Sequence, residues 1–307
     1  MKLTTKRALL PITLLALGAA TVPAAAAIPH AAHMLCLPDQ LGQLRGLQSR
    51  LDGLARAGQA GGGQYWYVDQ AQCRVAVAVL RTADTRSTDS FLAAATESPE
   101  LVNVTVVDSA VSSRVATVPA PPDAAAPQAQ LSFSGGTPIF SGTSGTVYEC
   151  TSGFNNYHPG TTTTAGHCGK AAPTWYDGNK NQLGSVSSAV FPGHDWAVIT
   201  PTGDWTLNNT VIYNGAPKNI TNFAAPKLGE QVCGTGATSG TQCGYVEATN
   251  VSVNYSEGVV TGLVESTQNG NAGDSGGPVY DGGTGLGLIS GGPEGGGGPT
   301  FFQPLNF

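Results

Sequence analysis

The sequence predicts a mainly β-sheet protein preceded by a small α+β unit, and three observations point there. Charged residues make up only 11% of the 307 positions while glycine reaches 42, a composition suited to many turns between strands. From residue 133 onward, short apolar runs alternate with Gly, Asn, Thr and Pro, at 146–150, 196–200, 244–253, 259–267 and 286–290. That rhythm reads as a β-barrel or sandwich. Ahead of it, Leu37, Leu41, Leu44, Leu47, Leu51 and Leu54 recur in steps of three and four, one face of an amphipathic helix.

The leucine pattern starts near Asp39 and stops at the glycines 61–63, which set the helix limits. Two apolar runs, 65–68 and 73–80, flank the turn-forming 69–72 and read as a hairpin. A further strand-like run covers 101–108. Residues 118–130, Pro/Ala-rich throughout, form an extended, protease-accessible linker.

Residues 1–27 read as a signal peptide. Lys2, Lys6 and Arg7 give the positive start, 8–22 the apolar core, and Ala24 to Ala27 small-residue cleavage positions. The core is too short, and broken by Pro11, for a membrane span. The expected organisation is signal peptide 1–27, pro-region 28–117, linker with activation cleavage 118–132, and the main domain 133–307. An exported, extracellular protein is expected, with no membrane attachment once the signal is removed.

Charge excludes one class of partner. Residues 133–307 carry four Lys, no Arg and eleven acids, a net of −7, whereas residues 1–132 carry ten bases and nine acids, a net of +1. A domain this acidic has no electrostatic footprint for nucleic acid. Export permits disulfides. The six cysteines, at 36, 73, 150, 168, 233 and 243, include no C-x-x-C pair, so no metal site is expected. Three pairings of the last four are formally possible.

The chemistry-bearing signals lie in the second part. Gly273-Asp274-Ser275-Gly276-Gly277-Pro278 is a glycine-flanked serine. Its hydroxyl would be exposed beside main-chain N–H groups of Gly273 and Ser275 that bind a developing oxyanion. Thr164-Ala165-Gly166-His167-Cys168 offers an imidazole to take the serine proton near neutral pH. Asp195, in Phe191-Pro192-Gly193-His194-Asp195-Trp196, enters an apolar strand, which suits a buried carboxylate that orients the imidazole better than Asp177 or Asp204 in polar loops. His194, a rival base, should point the other way along the strand from Asp195.

The order His167, Asp195, Ser275 with these motifs resembles the chymotrypsin-like serine proteases. Finer features resemble their bacterial streptogrisin and alpha-lytic endopeptidase branch: Phe133-Ser134-Gly135-Gly136, Phe191-Pro192-Gly193, Cys233 and Cys243 around a Gly/Thr-rich loop, Ser290-Gly291-Gly292, and the tail Thr300-Phe301-Phe302-Gln303-Pro304. The resemblance implies two perpendicular six-stranded β-barrels with the triad in the cleft between them. It implies a secreted endopeptidase working through an acyl-enzyme, with protein or peptide substrates and no cofactor. It implies bridges Cys150–Cys168 and Cys233–Cys243, support of Asp195 by Ser290, and pairing of Ser290, Gly291 and Gly292 with the substrate backbone. The α+β unit would be a pro-region that aids folding and transiently inhibits, with Cys36 and Cys73 candidates for a bridge within it.

Two departures stand out. No cysteine lies in 263–272 or 291–307, so a bridge that many relatives place there is missing. Gly234 stands where relatives often carry an Arg paired with the residue matching Asp274, which must find backbone N–H groups, a Lys or a new amino terminus instead. For specificity, Arg/Lys-specific relatives place an Asp where Asn269 stands, and Glu-specific relatives a His where Ile289 stands. With Ala272 nearby, the pocket is expected to take a large apolar side chain before the cut bond. A binding protein on the same fold would usually have lost a triad member, and a metallohydrolase would show an H-E-x-x-H-like cluster, which is absent from the sequence.

Overall fold

Leucines spaced for one helical face do form one. The computed structural model describes residues 36–113, 115–122, 131–203 and 205–306, which belong to a single compact unit. The expected signal segment, residues 28–35 of the expected pro-region, and 123–130 of the expected linker lie outside the described residues. Helix Pro38–Arg56 buries Leu44, Leu47, Leu51 and Ala55. Pro38 opens it, where the missing N–H is no loss, and Asp39 and Arg56 sit at the ends that favour their charges.

Against this helix lies the predicted hairpin, Gly63–Asp69 with Arg74–Leu80. Its turn is held by Asp69, whose Oδ1 accepts from the amides of Ala71 and Gln72. Strand Val102–Val107 joins parallel to Arg74–Leu80. A second helix, Thr85–Ala95, was not expected from the apolar pattern. Asp84 caps it by accepting from the Ser87 amide at 2.8 Å, and its Phe91 meets Trp66 edge-on in the shared core. Cys36 and Cys73 are bridged.

The second part is built of strands. Gln231–Gly236, Gly240–Tyr255, Gly258–Ser266, Pro278–Asp281, Thr284–Pro293 and Thr300–Pro304 close on themselves, because Gln231–Gly236 pairs with both Gly240–Tyr255 and Pro278–Asp281. Val232, Val246, Val264, Val279, Leu286, Ile289 and Phe302 fill a core in it, the inward half of an alternating pattern. A second path of six strands runs Thr146–Thr151, Pro138–Phe140, Thr174–Tyr176, Gln182–Val190, Trp196–Pro201, Thr162–Thr164. Its ends meet where Gly153 donates to the Thr163 carbonyl and Thr163 to the Phe154 carbonyl. Trp175, Leu183, Ile199 and the bridged Cys150 and Cys168 lie in its core. The mainly β architecture with an amino-terminal α+β unit is therefore as predicted.

The α+β unit is joined to the barrel of residues 231–304 by main-chain pairing. Gly63–Asp69 runs antiparallel to Gly240–Tyr255, with Tyr65 opposite Val253 and Trp66 opposite Ser252. The Gln48 side-chain amide donates to the Asn250 carbonyl at 2.7 Å. Beyond this unit two short strands are paired among the described residues. Strand Val111–Ser113 pairs with residues 291–293, and strand Ala116–Pro119 pairs with residues 146–149. Val118 and Pro119, expected in an exposed linker, are thus strand-paired, because Thr146–Thr151 offers them an open main-chain edge.

Candidate active site

Three short segments converge on one point between the barrels. His167 is the second residue of helix Gly166–Ala171, fixed by the neighbouring Cys168–Cys150 bridge. Asp195 lies just before strand Trp196–Pro201 and is fully buried, while adjacent His194 is exposed. Its backbone N–H donates to the Gln303 side-chain carbonyl at 2.9 Å.

The Asp195 carboxyl is surrounded by donors. The His167 amide reaches Oδ1 at 2.9 Å, His167 Nδ1 lies 3.0 and 2.9 Å from the two oxygens, and the Ser290 hydroxyl donates to Oδ2 at 2.6 Å. With both oxygens accepting, Nδ1 is the donor, which leaves Nε2 of a neutral ring as an acceptor. Ser290 has one hydroxyl proton and gives it to Asp195, so the Tyr255 hydroxyl, 2.9 Å away, donates to Ser290. Tyr255 and Gln303 were not singled out from sequence. Gln303 lies in the Thr300–Pro304 motif, whose pattern assigns it no role, and no local pattern marks Tyr255 at the end of its strand.

Ser275 sits in the predicted glycine-flanked turn. Its carbonyl accepts from the Thr151 amide, and the Thr151 hydroxyl donates to the Gly273 carbonyl, both at 2.8 Å, which locks this turn to strand Thr146–Thr151. Gly273 has φ +99°, a conformation that favours glycine. Among the described residues, the Gly273 and Ser275 amides make no backbone hydrogen bond. The Ser275 hydroxyl points to the Ser290 carbonyl at 3.4 Å, and His167 Nε2 has no partner among the described residues. The structure thus places all three expected residues together but does not join serine to histidine.

Asp274 finds the partners that the missing Arg left open. It is 1% exposed and accepts from the amides of Thr238, Ser239 and Asn271 at 3.0, 2.9 and 2.7 Å. Gly236 makes room for it, since a Cβ there would collide with the Asp274 carboxyl.

Of the expected pocket residues, Asn269 and Ile289 line one small cavity together with Gln268, Gly270 and Thr300. Ala272 is outside this lining, exposed, with its carbonyl accepting from the Thr238 hydroxyl. The amide of neutral Gln268, next to Asn269, donates to the Gln242 carbonyl, and its carbonyl accepts from Ser266. Gly291 and Gly292 pair with Ser113 and Ser112 of the chain's own segment. The bridge Cys233–Cys243 spans directly opposed strand residues.

This fold and this cleft define a class. The Trypsin family model matches residues 114–307, and the Alpha-lytic protease prodomain model matches residues 41–99. The chain belongs to the trypsin family, the chymotrypsin-like serine endopeptidases, and carries an alpha-lytic-type prodomain. Within that family it is similar to streptogrisin-C of Streptomyces griseus, 32% identical over 78% of this chain and 49% of that one; it thus spans about half of that relative's length. Glutamyl endopeptidase 2 of the same organism is 32% identical over 56% of this chain and 92% of its own. Among solved structures, Cellulomonas bogoriensis chymotrypsin matches with a TM-score of 0.50 and 35% identity, over 57% of this chain and 93% of that one.

Proposed function

We propose that this chain is the precursor of a secreted serine endopeptidase whose triad is His167, Asp195 and Ser275. The observation that carries the reading is the buried His167–Asp195 pair, which holds the ring by Nδ1 and leaves Nε2 without a partner among the described residues. Ser275 Oγ attacks the substrate carbonyl carbon and its proton passes to Nε2. The amides of Gly273 and Ser275 hold the oxygen that takes up negative charge. The imidazolium then gives the proton to the leaving amine as the C–N bond breaks, and water repeats the sequence on the ester to release the acid.

In the precursor, Ser275 is turned to the Ser290 carbonyl, and the substrate wall at Gly291 and Gly292 is occupied by Val111–Ser113. The pro-region therefore acts as a transient inhibitor as well as a folding aid, removed by cleavage in the segment that follows it. The pocket carries Asn269, Ile289 and Gln268, and Asp274 at its edge is engaged by three amides. A buried cation or carboxylate would have no free counter-charge there, so a large apolar residue before the cut is favoured. The similarity to glutamyl endopeptidase 2 does not carry over, because Ile289 stands at the position the resemblance assigns to a histidine. Casein hydrolysis by the matured enzyme, blocked by a serine-directed fluorophosphonate and insensitive to a chelator, is the expected outcome; the reverse pattern overturns the reading.

A further inference from the structure

Beside the turn that holds Ser275 lies a carboxylate without a role so far. Glu149 lies on strand Thr146–Thr151, opposite Ala116. Antiparallel partners place their side chains on the same face. The point where a Cβ on Gly273 would stand lies 3.1 Å from Glu149 Oε2 and 3.5 Å from the Ala116 Cβ. The Glu149 carboxylate, the Ala116 methyl and the Gly273 turn beside Ser275 therefore meet in one place. No Lys or Arg pairs with Glu149 among the described residues, and it is half-buried.

The chain's own path gives the direction of a substrate. Val111–Ser113 lies along 291–293, and Ala116–Pro119 along 146–149. A substrate bound in the same direction has its residues before the cut on the first wall and those after it on the second. We propose that Glu149 is a specificity-determining residue that favours a cationic side chain, Lys or Arg, at the substrate position held by Ala116, on the leaving-group side of the cut. The methyl of Ala116 leaves the carboxylate unanswered, and a longer cationic side chain at that position answers it. Burial and nearby Asp274 push the Glu149 carboxyl up, as expected of an acid without a counter-charge.

This inference rests on the endopeptidase reading, and the experiment separates the two. The full-length chain is expressed, matured, and used to digest a peptide mixture whose cut sites are read by mass spectrometry. Lys and Arg should be enriched about threefold over Glu and Asp at one position after the cut, the scale of a half-exposed ion pair. Glu149→Gln should remove this ratio, and Glu149→Lys should invert it toward acids. The ratio does not depend on how much of a variant folds. An unchanged ratio in both variants overturns the role of Glu149 alone. Absence of cleavage by the wild-type chain, or cleavage that survives Ser275→Ala, overturns the endopeptidase reading and this inference with it.

Discussion

Ser290 gives its only hydroxyl proton to Asp195 at 2.6 Å and its backbone carbonyl to the Ser275 hydroxyl at 3.4 Å. One residue thus touches two members of the site, and a third, His167, hangs on the same carboxyl. Tyr255 extends the chain by donating to Ser290.

Ser290→Ala should lower kcat about tenfold with little change in KM, because a hydrogen bond to a charged group is lost while the substrate wall of main-chain groups stays. Ser290→Thr, which keeps a hydroxyl, should recover most of the loss. The pH profile of kcat/KM separates positioning from folding: its acid limb should move in Ser290→Ala, and a fixed limb would argue that Ser290 only packs. Tyr255→Phe should show the same effect in weaker form.

Asp274→Asn should destabilise the fold by about 1–3 kcal/mol, since a carboxylate with three amide donors is replaced by a group that must turn an NH2 toward at least one of them. Urea unfolding measures it. Gly236→Ala should cost a similar amount through direct collision with the same carboxyl. Wild-type stability in both variants would contradict the role of this network.

Binding of the pro-region should weaken as pH rises. Glu265 is 5% exposed and pushed up from an ordinary 4.5 to about 7 by burial and by Glu247, partly offset by the Tyr65 hydroxyl. Tyr65, whose ring packs on Phe301, is itself pushed up, and Tyr67 is raised to about 12; both belong to the pro-region. The pro-region's Tyr65 hydroxyl lies against this carboxyl, so part of the burial that raises it belongs to the complex, and binding takes up a proton. Its contribution is fully present below pH 4.5 and is lost as pH rises through about 7. Inhibition of the matured enzyme by added pro-region, measured from pH 5 to 8.5, should be tightest at the acid end. Glu265→Gln should flatten the curve, and tighter inhibition at high pH would contradict it.

What was legible in the sequence was what local chemistry fixes. The leucine steps gave the helix Pro38–Arg56, and alternating apolar runs gave the strands of the barrels. The glycine-flanked Ser275 and the His167-Cys168 pair announced their turn and loop because those backbones demand these residues. Helix Thr85–Ala95 was missed because its buried face is Thr88, Phe91 and Ala95, too small and polar a stripe to stand out. Strands Val111–Ser113 and Ala116–Pro119 owe their form to remote edges rather than to their own composition. The supports of the site, Tyr255, Gln303 and the amides around Asp274, come from segments far apart in the chain, and no spacing rule links them.

Cleavage should follow large apolar residues. Among cut sites in a digested peptide mixture, Phe, Tyr, Leu and Met should dominate before the bond, as burial against Ile289, beside neutral Gln268 and Asn269, favours apolar side chains. A majority after Arg, Lys or Glu would overturn the pocket reading and leave the triad standing.

The central claim is that Ser275 is the nucleophile, and its replacement tests this most directly. Ser275→Ala in the full-length chain, matured where needed by wild-type enzyme, should lose on the order of 10⁶-fold in turnover on a protein substrate. His167→Ala should match it, and the double variant should be little worse, because the pair acts as a unit. Residual turnover of Ser275→Ala within tenfold of wild type would contradict the account.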